Sequence, residues 1–198
     1  MKITETRDLI CNGAFHKTRS WRRACADTNA AISSTGWPHG SRKFVIQPIV
    51  HGNGVVPIKL PCIKELRRRH WKVEHLPEID PGILASGDLD AVLETPEGWI
   101  AFEWETGNIS SSHRALNKLL LALYQGRLKG GILAVPSARL YRFLTDRVGN
   151  ITELRPYFPL WQAIPIRNGC LRIVVVEQDS ENLRVTKIPK GTDGRARK

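Results

Sequence analysis

The spacing of apolar and polar positions changes period several times along the chain, and each change marks an element. After Pro61, apolar Ile63 and Leu66 recur at helical spacing while Lys64, Arg67, Arg68 and Arg69 take the other side. This predicts a helix from Pro61 to about His70, opened by a proline whose missing N–H is not needed in a first turn. Trp71 to Leu76 alternates and predicts a strand. Asp88 to Leu93 and Trp99 to Glu105 are β-prone runs flanking Thr95-Pro96-Glu97-Gly98, so they predict a hairpin closed by Pro and Gly turn chemistry. From Ser111 to Gln125 the helical period returns. At about 100° per residue, Ala115, Leu116, Leu119, Leu120 and Leu123 share one arc and His113, Arg114, Asn117 and Lys118 the other. A buried strand, Gly131 to Val135, ends at Pro136; a helix over Ala138 to Leu144 and a strand over Leu171 to Glu177 follow. Strands alternating with helices give an α/β class, with a mixed central β-sheet flanked by helices.

The 198 residues fit a single domain spanning 1–198, and 41% hydrophobic residues suffice for a core. Thr28 to Gly54 is rich in Gly, Ser, Asn and Pro and reads as irregular, apart from a short β-like run at Phe44 to Ile49. Lys187 to Lys198, with Lys187, Lys190, Arg195, Arg197 and Lys198, reads as a flexible basic tail. No apolar run reaches the ~18 residues of a membrane span, and the N-terminus has no apolar core of a signal peptide. No membrane partner and a cytoplasmic location are expected. Four cysteines without a CxxC pair read as reduced thiols rather than a zinc site. Thirty Lys plus Arg against 19 Asp plus Glu leave a charge of +11, which calls for a polyanionic partner.

Candidate chemistry is densest in the hairpin. Residues two apart on a strand share a face, so Glu103 and Glu105 point together while Phe102 and Trp104 point away. Asp88 and Asp90 share a face of the preceding strand, and pairing through the turn brings that acidic side towards Glu103. Converging carboxylates in a cationic chain suit Mg2+, which takes one or two carboxylates plus water and substrate oxygens. The basic face of the next helix, and Ser110, Ser111 and Ser112 as caps at its N-terminus, suit phosphate. Arg139, Arg142, Asp146, Arg147 and Asn150 cluster further on, and either fix a loop or reach a DNA groove, where Arg suits guanine and Asn adenine.

Asp90, twelve residues, then Glu103-x-Glu105 is the pattern of the PD-(D/E)xK nuclease fold in the variant with Glu in place of Lys. Phe102-Glu-Trp-Glu-Thr-Gly-Asn108 followed by Ser110-Ser-Ser-His-Arg-Ala-Leu-Asn-Lys118 resembles type II restriction endonucleases of the BamHI/BglII/BstYI group. Gly54-Val-Val-Pro-Ile-Lys59 and Trp71-Lys-Val-Glu74 resemble the segment those enzymes place before the catalytic Asp, so the likeness covers roughly Gly54 to Trp161. The resemblance implies a restriction-endonuclease-like fold and a Mg2+-dependent, sequence-specific double-stranded DNA endonuclease. It implies a palindromic site, 5′-phosphate and 3′-hydroxyl ends, and a possible cognate DNA methyltransferase in the same system. A homodimer follows from symmetry, since one site cuts one strand.

Under this reading Asp90 and Glu103 ligate metal, with the Trp104 carbonyl, and Glu105 holds a second ion or accepts the proton of the attacking water. Asp88 is the rival of Asp90, which is favoured because Ala91-Val92-Leu93 follow it in the strand. Glu65 is either an accessory metal residue or, more simply, a salt-bridge partner of Arg68 or Arg69. His113, Arg114, Asn117, Lys118, Arg139 and Arg147 are the candidate DNA contacts. Two alternatives stand beside it: a repair or junction-resolving nuclease of the same fold, and a non-catalytic DNA-binding protein whose acidic cluster is structural.

Overall fold

One mixed sheet organises the chain: β1 (Lys2–Asn12), β3 (Lys72–His75), β4 (Leu89–Leu93), β5 (Trp99–Trp104), β6 (Leu128–Pro136) and β7 (Gly169–Glu177) lie side by side in the order β1-β7-β6-β5-β4-β3. A computed structural model describes residues 1–75 and 88–190, without the side chains of residues 74 and 75. The central pairs β5–β6 and β6–β7 are parallel, and β1–β7, β4–β5 and β3–β4 are antiparallel. A second, two-stranded sheet pairs β2 (Val45–Ile46) with β8 (Ser180–Glu181).

The parallel strands read as near-continuous apolar runs and are buried along almost their whole length, as strands covered on both faces must be. Strand alternation divides the core into two layers. Ile100, Phe102, Trp104, Ile132, Ala134, Val174 and Val176 pack on one face with Trp21, Ala24 and Ile32 of α1 (Arg19–Ser33) and Cys62 and Leu66 of α2 (Lys59–Arg68). Ala101, Leu133, Val135, Leu171 and Ile173 pack on the other with Leu116, Leu119, Leu120 and Leu123 of α3 (Ile109–Tyr124). Leu154 of α5 (Ile151–Leu154) and Phe158 and Trp161 of α6 (Phe158–Gln162) complete that layer. Each fully buried Leu of α3 contributes about 1.5–3 kcal/mol by leaving water. Trp21 lies so close to the sheet that a Cβ at Gly130 would stand 2.7 Å from its ring, so only glycine fits there.

The predicted hairpin forms, with Ala91 opposite Phe102 and the Gly98 amide donating to Thr95 O at 3.0 Å. Other bounds shift for identifiable reasons. Helix α2 begins two residues before Pro61, which sits in its first turn. Helix α3 is capped by Asn108, whose side chain accepts from Ser111 N at 2.9 Å, rather than by one of the three serines. The helix expected over Ala138 to Leu144 is the single turn α4 (Ala138–Tyr141), capped by Ser137. Leu76, the expected end of a strand, lies outside the described residues.

The segment expected to be irregular from Thr28 is helical to Ser33, and the rest is irregular yet tied down. Trp37, Phe44 and Ile46 are buried, and Asn53 donates to Gln47 O and Phe143 O while accepting from Ile188 N. Ile188 is buried, so Lys187 to Lys190 belong to the packed chain, and residues 191–198 of the expected tail lie outside the described residues. Two elements escaped the pattern reading. β1 is an edge strand whose alternation is blurred by Thr, Glu, Arg and Asp, and α1 fills several core positions with small residues such as Ala24, Cys25 and Ala31. Among the described residues no helix is long and apolar enough to cross a membrane.

Candidate active site

The acidic residues meet where β4 and β5 approach the N-terminal part of α3. Asp90 on β4 accepts two hydrogen bonds, from the Trp104 amide at 2.8 Å and from Lys59 Nζ at 2.8 Å. The first ties the carboxylate to the end of β5, and the second anchors it to the first residue of α2. Glu103 points to the α3 face of the sheet, where its carboxylate forms an ion pair with Lys118, and Lys118 Nζ also donates to Asp88 O at 2.8 Å. Glu105 follows just beyond β5, its amide donating to Ala134 O at 2.9 Å and its carboxylate accepting from the Gly107 amide. A Cβ at Gly107 would stand 2.6 Å from that Glu105 oxygen and 3.1 Å from Ser111, so glycine keeps this turn tight against the carboxylate. Asp88, Asp90, Glu103, Trp104, Glu105, Lys59, Arg114 and Lys118 all line one cavity of about 380 Å³.

Burial sets the electrostatics. Glu103 is only 6% exposed, and desolvation raises its pKa from 4.5 to about 7; Lys118 pulls it down and Asp90 pushes it further up. Glu105 is raised as well, by burial first and by Asp90, against the hydrogen bond from Gly107 and the charges of Lys59 and Arg114. Burial works against the Lys59 ammonium, yet its hydrogen bond to Asp90 and the charges of Asp90, Glu103 and Glu105 hold its pKa above the usual lysine value. The pocket is thus a set of partly desolvated carboxylates neutralised by lysines from two helices, an arrangement found where charge is put to chemical use.

Other residues singled out in the sequence lie elsewhere or play different parts. Glu65 sits in salt bridges with Arg68 at the end of its helix and with Arg69 just beyond it, 3.3 and 2.9 Å long, and does not line the pocket, which is the simpler of the two roles expected for it. Lys118 is buried against Glu103, so it does not belong to a solvated basic face. His113 packs against the rings of Tyr157 and Trp161, and Asn117 accepts from Trp161 Nε1 at 3.1 Å. That side of α3 therefore carries aromatic contacts instead of a cationic stripe, and Arg114 alone of the four is an exposed residue that lines the pocket. Arg139 is engaged by Glu181 at 2.8 Å and Glu177 at 3.8 Å. Asn150 is buried as the cap of α5, accepting from Thr152 N. Arg147 is exposed on a loop that reaches the site: Val148 bridges Asn108, and the Gly149 amide donates to Gly107 O at 2.9 Å. Lys59 is the site residue that pattern reading missed. It stands 31 residues before Asp90, and only its place in the Gly54 to Lys59 segment of the family resemblance marked it.

A mixed sheet that carries an Asp on one strand and a Glu-x-Glu at the end of its neighbour, with helices supplying cations to the same cavity, defines a nuclease of the restriction-endonuclease type. The family model of restriction endonuclease BamHI matches residues 1–195, and the chain belongs to that family. It is 44% identical over 196 residues to the type II restriction enzyme OkrAI of Oceanobacter kriegii, covering 99% of both chains. It is 34% identical over 189 residues to the type II restriction enzyme BamHI of Bacillus amyloliquefaciens, covering 92% of this chain and 86% of the other. The fold is shared with restriction endonuclease BglII crystallised with a DNA 16-mer, at a TM-score of 0.61 and 13% identity over 95% of this chain and 88% of the other. The protein is a site-specific deoxyribonuclease of a restriction system, and DNA is the polyanion its charge called for.

Proposed function

We propose that the enzyme is a Mg2+-dependent homodimer that hydrolyses both strands of a palindromic duplex site, leaving 5′-phosphate and 3′-hydroxyl ends. The observation that carries the proposal is the convergence of Asp90, Glu103 and Glu105 on one cavity that also holds Lys59, Arg114 and Lys118. The donor set fits magnesium: hard oxygens on one wall, with room for water and phosphate oxygens. Ammonium groups already sit on two of these carboxylates, Lys59 on Asp90 and Lys118 on Glu103, where a dication would find its ligands. Among the described residues no three His, Cys, Asp or Glu side chains close on a common point, so Asp90 and Glu103 would have to exchange their lysine partners to hold an ion.

When bound, magnesium polarises the phosphate and lowers the pKa of a water. Asp90 and Glu103 would hold the ion, together with the Trp104 carbonyl, and Asp88, whose carbonyl accepts from Lys118, is the secondary candidate. Glu105, with its raised pKa, takes the proton of the water that attacks phosphorus. The new P–O bond forms as the bond to the 3′ oxygen breaks. Arg114, exposed at the cavity, and Lys59, which is half-exposed on Asp90, are the cations placed to meet the scissile phosphate, Lys118 stays against Glu103 and Asp88 O, and Arg147 is exposed on the adjoining loop.

Support for a dimer comes from the far side of α3. Leu121 and Tyr124 are 45% and 59% exposed, and a groove of about 360 Å³ runs between them and Ile164. A second copy turned by a two-fold axis would bury this patch against its own equivalent and place two sites on opposite strands. A cognate methyltransferase protecting the same sequence completes the system. Incubating the enzyme with a mixed plasmid library and Mg2+, then sequencing the ends, tests the proposal. It predicts one palindromic sequence cut at the same offset on both strands with 5′-phosphates; ends without a common sequence, or 3′-phosphates, would refute it.

A further inference from the structure

None of the four cysteines lines the catalytic cavity, yet three gather at the other end of the sheet. Cys11 of β1 and Cys170 of β7 are direct cross-strand partners, and their sulfurs lie 4.0 Å apart. Opposed residues of an antiparallel pair have Cα atoms about 4.5–5.5 Å apart, inside the ~4.4–6.8 Å range of disulfides. Side-chain rotation, without backbone movement, therefore brings the sulfurs to bonding distance. Cys11 is exposed and Cys170 is fully buried behind it. Arg172, held by Asp8 at 2.6 Å, sets its charge beside the third thiol, Cys25 of α1, and beside Cys170 as well. Cys62 lies apart, buried in α2.

We propose that Cys11 and Cys170 form an oxidisable dithiol, a modification site that reacts with a low-molecular-weight disulfide and closes into a bridge fastening the edge strand β1 to β7. The Cys11 thiolate attacks one sulfur of the disulfide, forming a mixed disulfide and expelling the first thiolate, which takes up the proton that Cys11 gave up. Cys170 then loses its proton and attacks Cys11 Sγ, displacing the second thiolate. The protein loses two hydrogens, and the disulfide becomes two thiols. Burial raises the Cys170 pKa, which makes closure the slow step. Cys170 is level with Gly130 on β6, whereas Glu103 is level with Leu133, so the bridge forms away from the catalytic carboxylates.

The test uses the full, reduced protein treated with excess glutathione disulfide, alkylated, and digested with trypsin without reductant. The expected product joins peptide 8–17 to peptide 168–172, with Cys62 alkylated. Amide exchange in β1 should slow in the bridged form. Cys170→Ser should stop at glutathione on Cys11, and Cys25→Ser should still bridge. A Cys11–Cys25 link, a stable glutathione adduct on wild-type Cys11, or four alkylated thiols would overturn the proposal, and the wild-type peptide map decides it even where a variant fails to fold.

Discussion

Glu103→Gln removes a buried negative charge while keeping the shape of the side chain and an oxygen for Lys118, which also retains Asp88 O at 2.8 Å. In the unfolded chain the Glu103 carboxyl ionises near 4.5, and in the folded protein near 7, because burial outweighs the pull of Lys118. Between those values the native state holds a proton that the unfolded state has lost, so wild-type stability falls as pH rises through this window. The glutamine does not titrate. Wild type and variant should therefore be nearly equal at pH 4, and the variant more stable by about 3 kcal/mol at pH 8, at ~1.4 kcal/mol per tenfold change in proton affinity. For a chain of this length that corresponds to roughly 6–12 °C in Tm. Thermal unfolding of both proteins with chelator present, from pH 4 to 8, reads the difference directly, and cleavage by the variant should be lost. A stability difference that does not change with pH, or a variant less stable at pH 8, would refute the burial argument.

Salt should weaken DNA binding steeply: with ~6–10 phosphate contacts per dimer, a plot of log K against log salt should slope at about −5 to −9, and Arg114→Ala, lost from both subunits, should flatten it by about 2 for every sequence. Equilibrium binding by anisotropy checks both, and a slope near zero would remove the phosphate contacts. Sedimentation should give a species near twice 22.3 kDa, and Leu121→Arg, which puts a charge in the exposed patch, should shift it to monomer; a wild-type monomer would refute the two-fold model. Calcium should support binding without cutting, because its looser coordination positions water and phosphate less well. Glu65→Ala should cleave within a few-fold of wild type, since its partners are Arg68 and Arg69; a loss of ~10²-fold would restore the accessory role.

Local chemistry made the hairpin legible. Thr95 to Gly98 is a turn between two β-prone runs, and alternation alone puts Phe102 and Trp104 on the face opposite Glu103, which is where the core holds them. Long-range partnerships were not legible. The angular position of Lys118 on its helix is compatible with solvent or with the sheet, and only the register of β4 and β5 beneath it decides that it meets Glu103. The same holds for Lys59 on Asp90 and for the loop at Val148, which a bridge to Asn108 carries beside the cavity. β1 was missed because an edge strand needs apolar side chains on few positions, and among its eleven residues only Leu9 and Ile10 are buried.

In the proposed function Asp90, with Glu103 and Glu105, forms a metal-dependent phosphodiester-cleaving centre. Asp90→Asn tests it most directly, because the amide keeps an oxygen for the Trp104 N–H and so spares the strand pairing. Single-turnover cleavage of a duplex containing the site, with Mg2+ and enzyme saturating and binding measured in parallel, should show a rate at least ~10³-fold below wild type at equal or tighter affinity. Cleavage by Asp90→Asn within a few-fold of the wild-type rate would contradict the account.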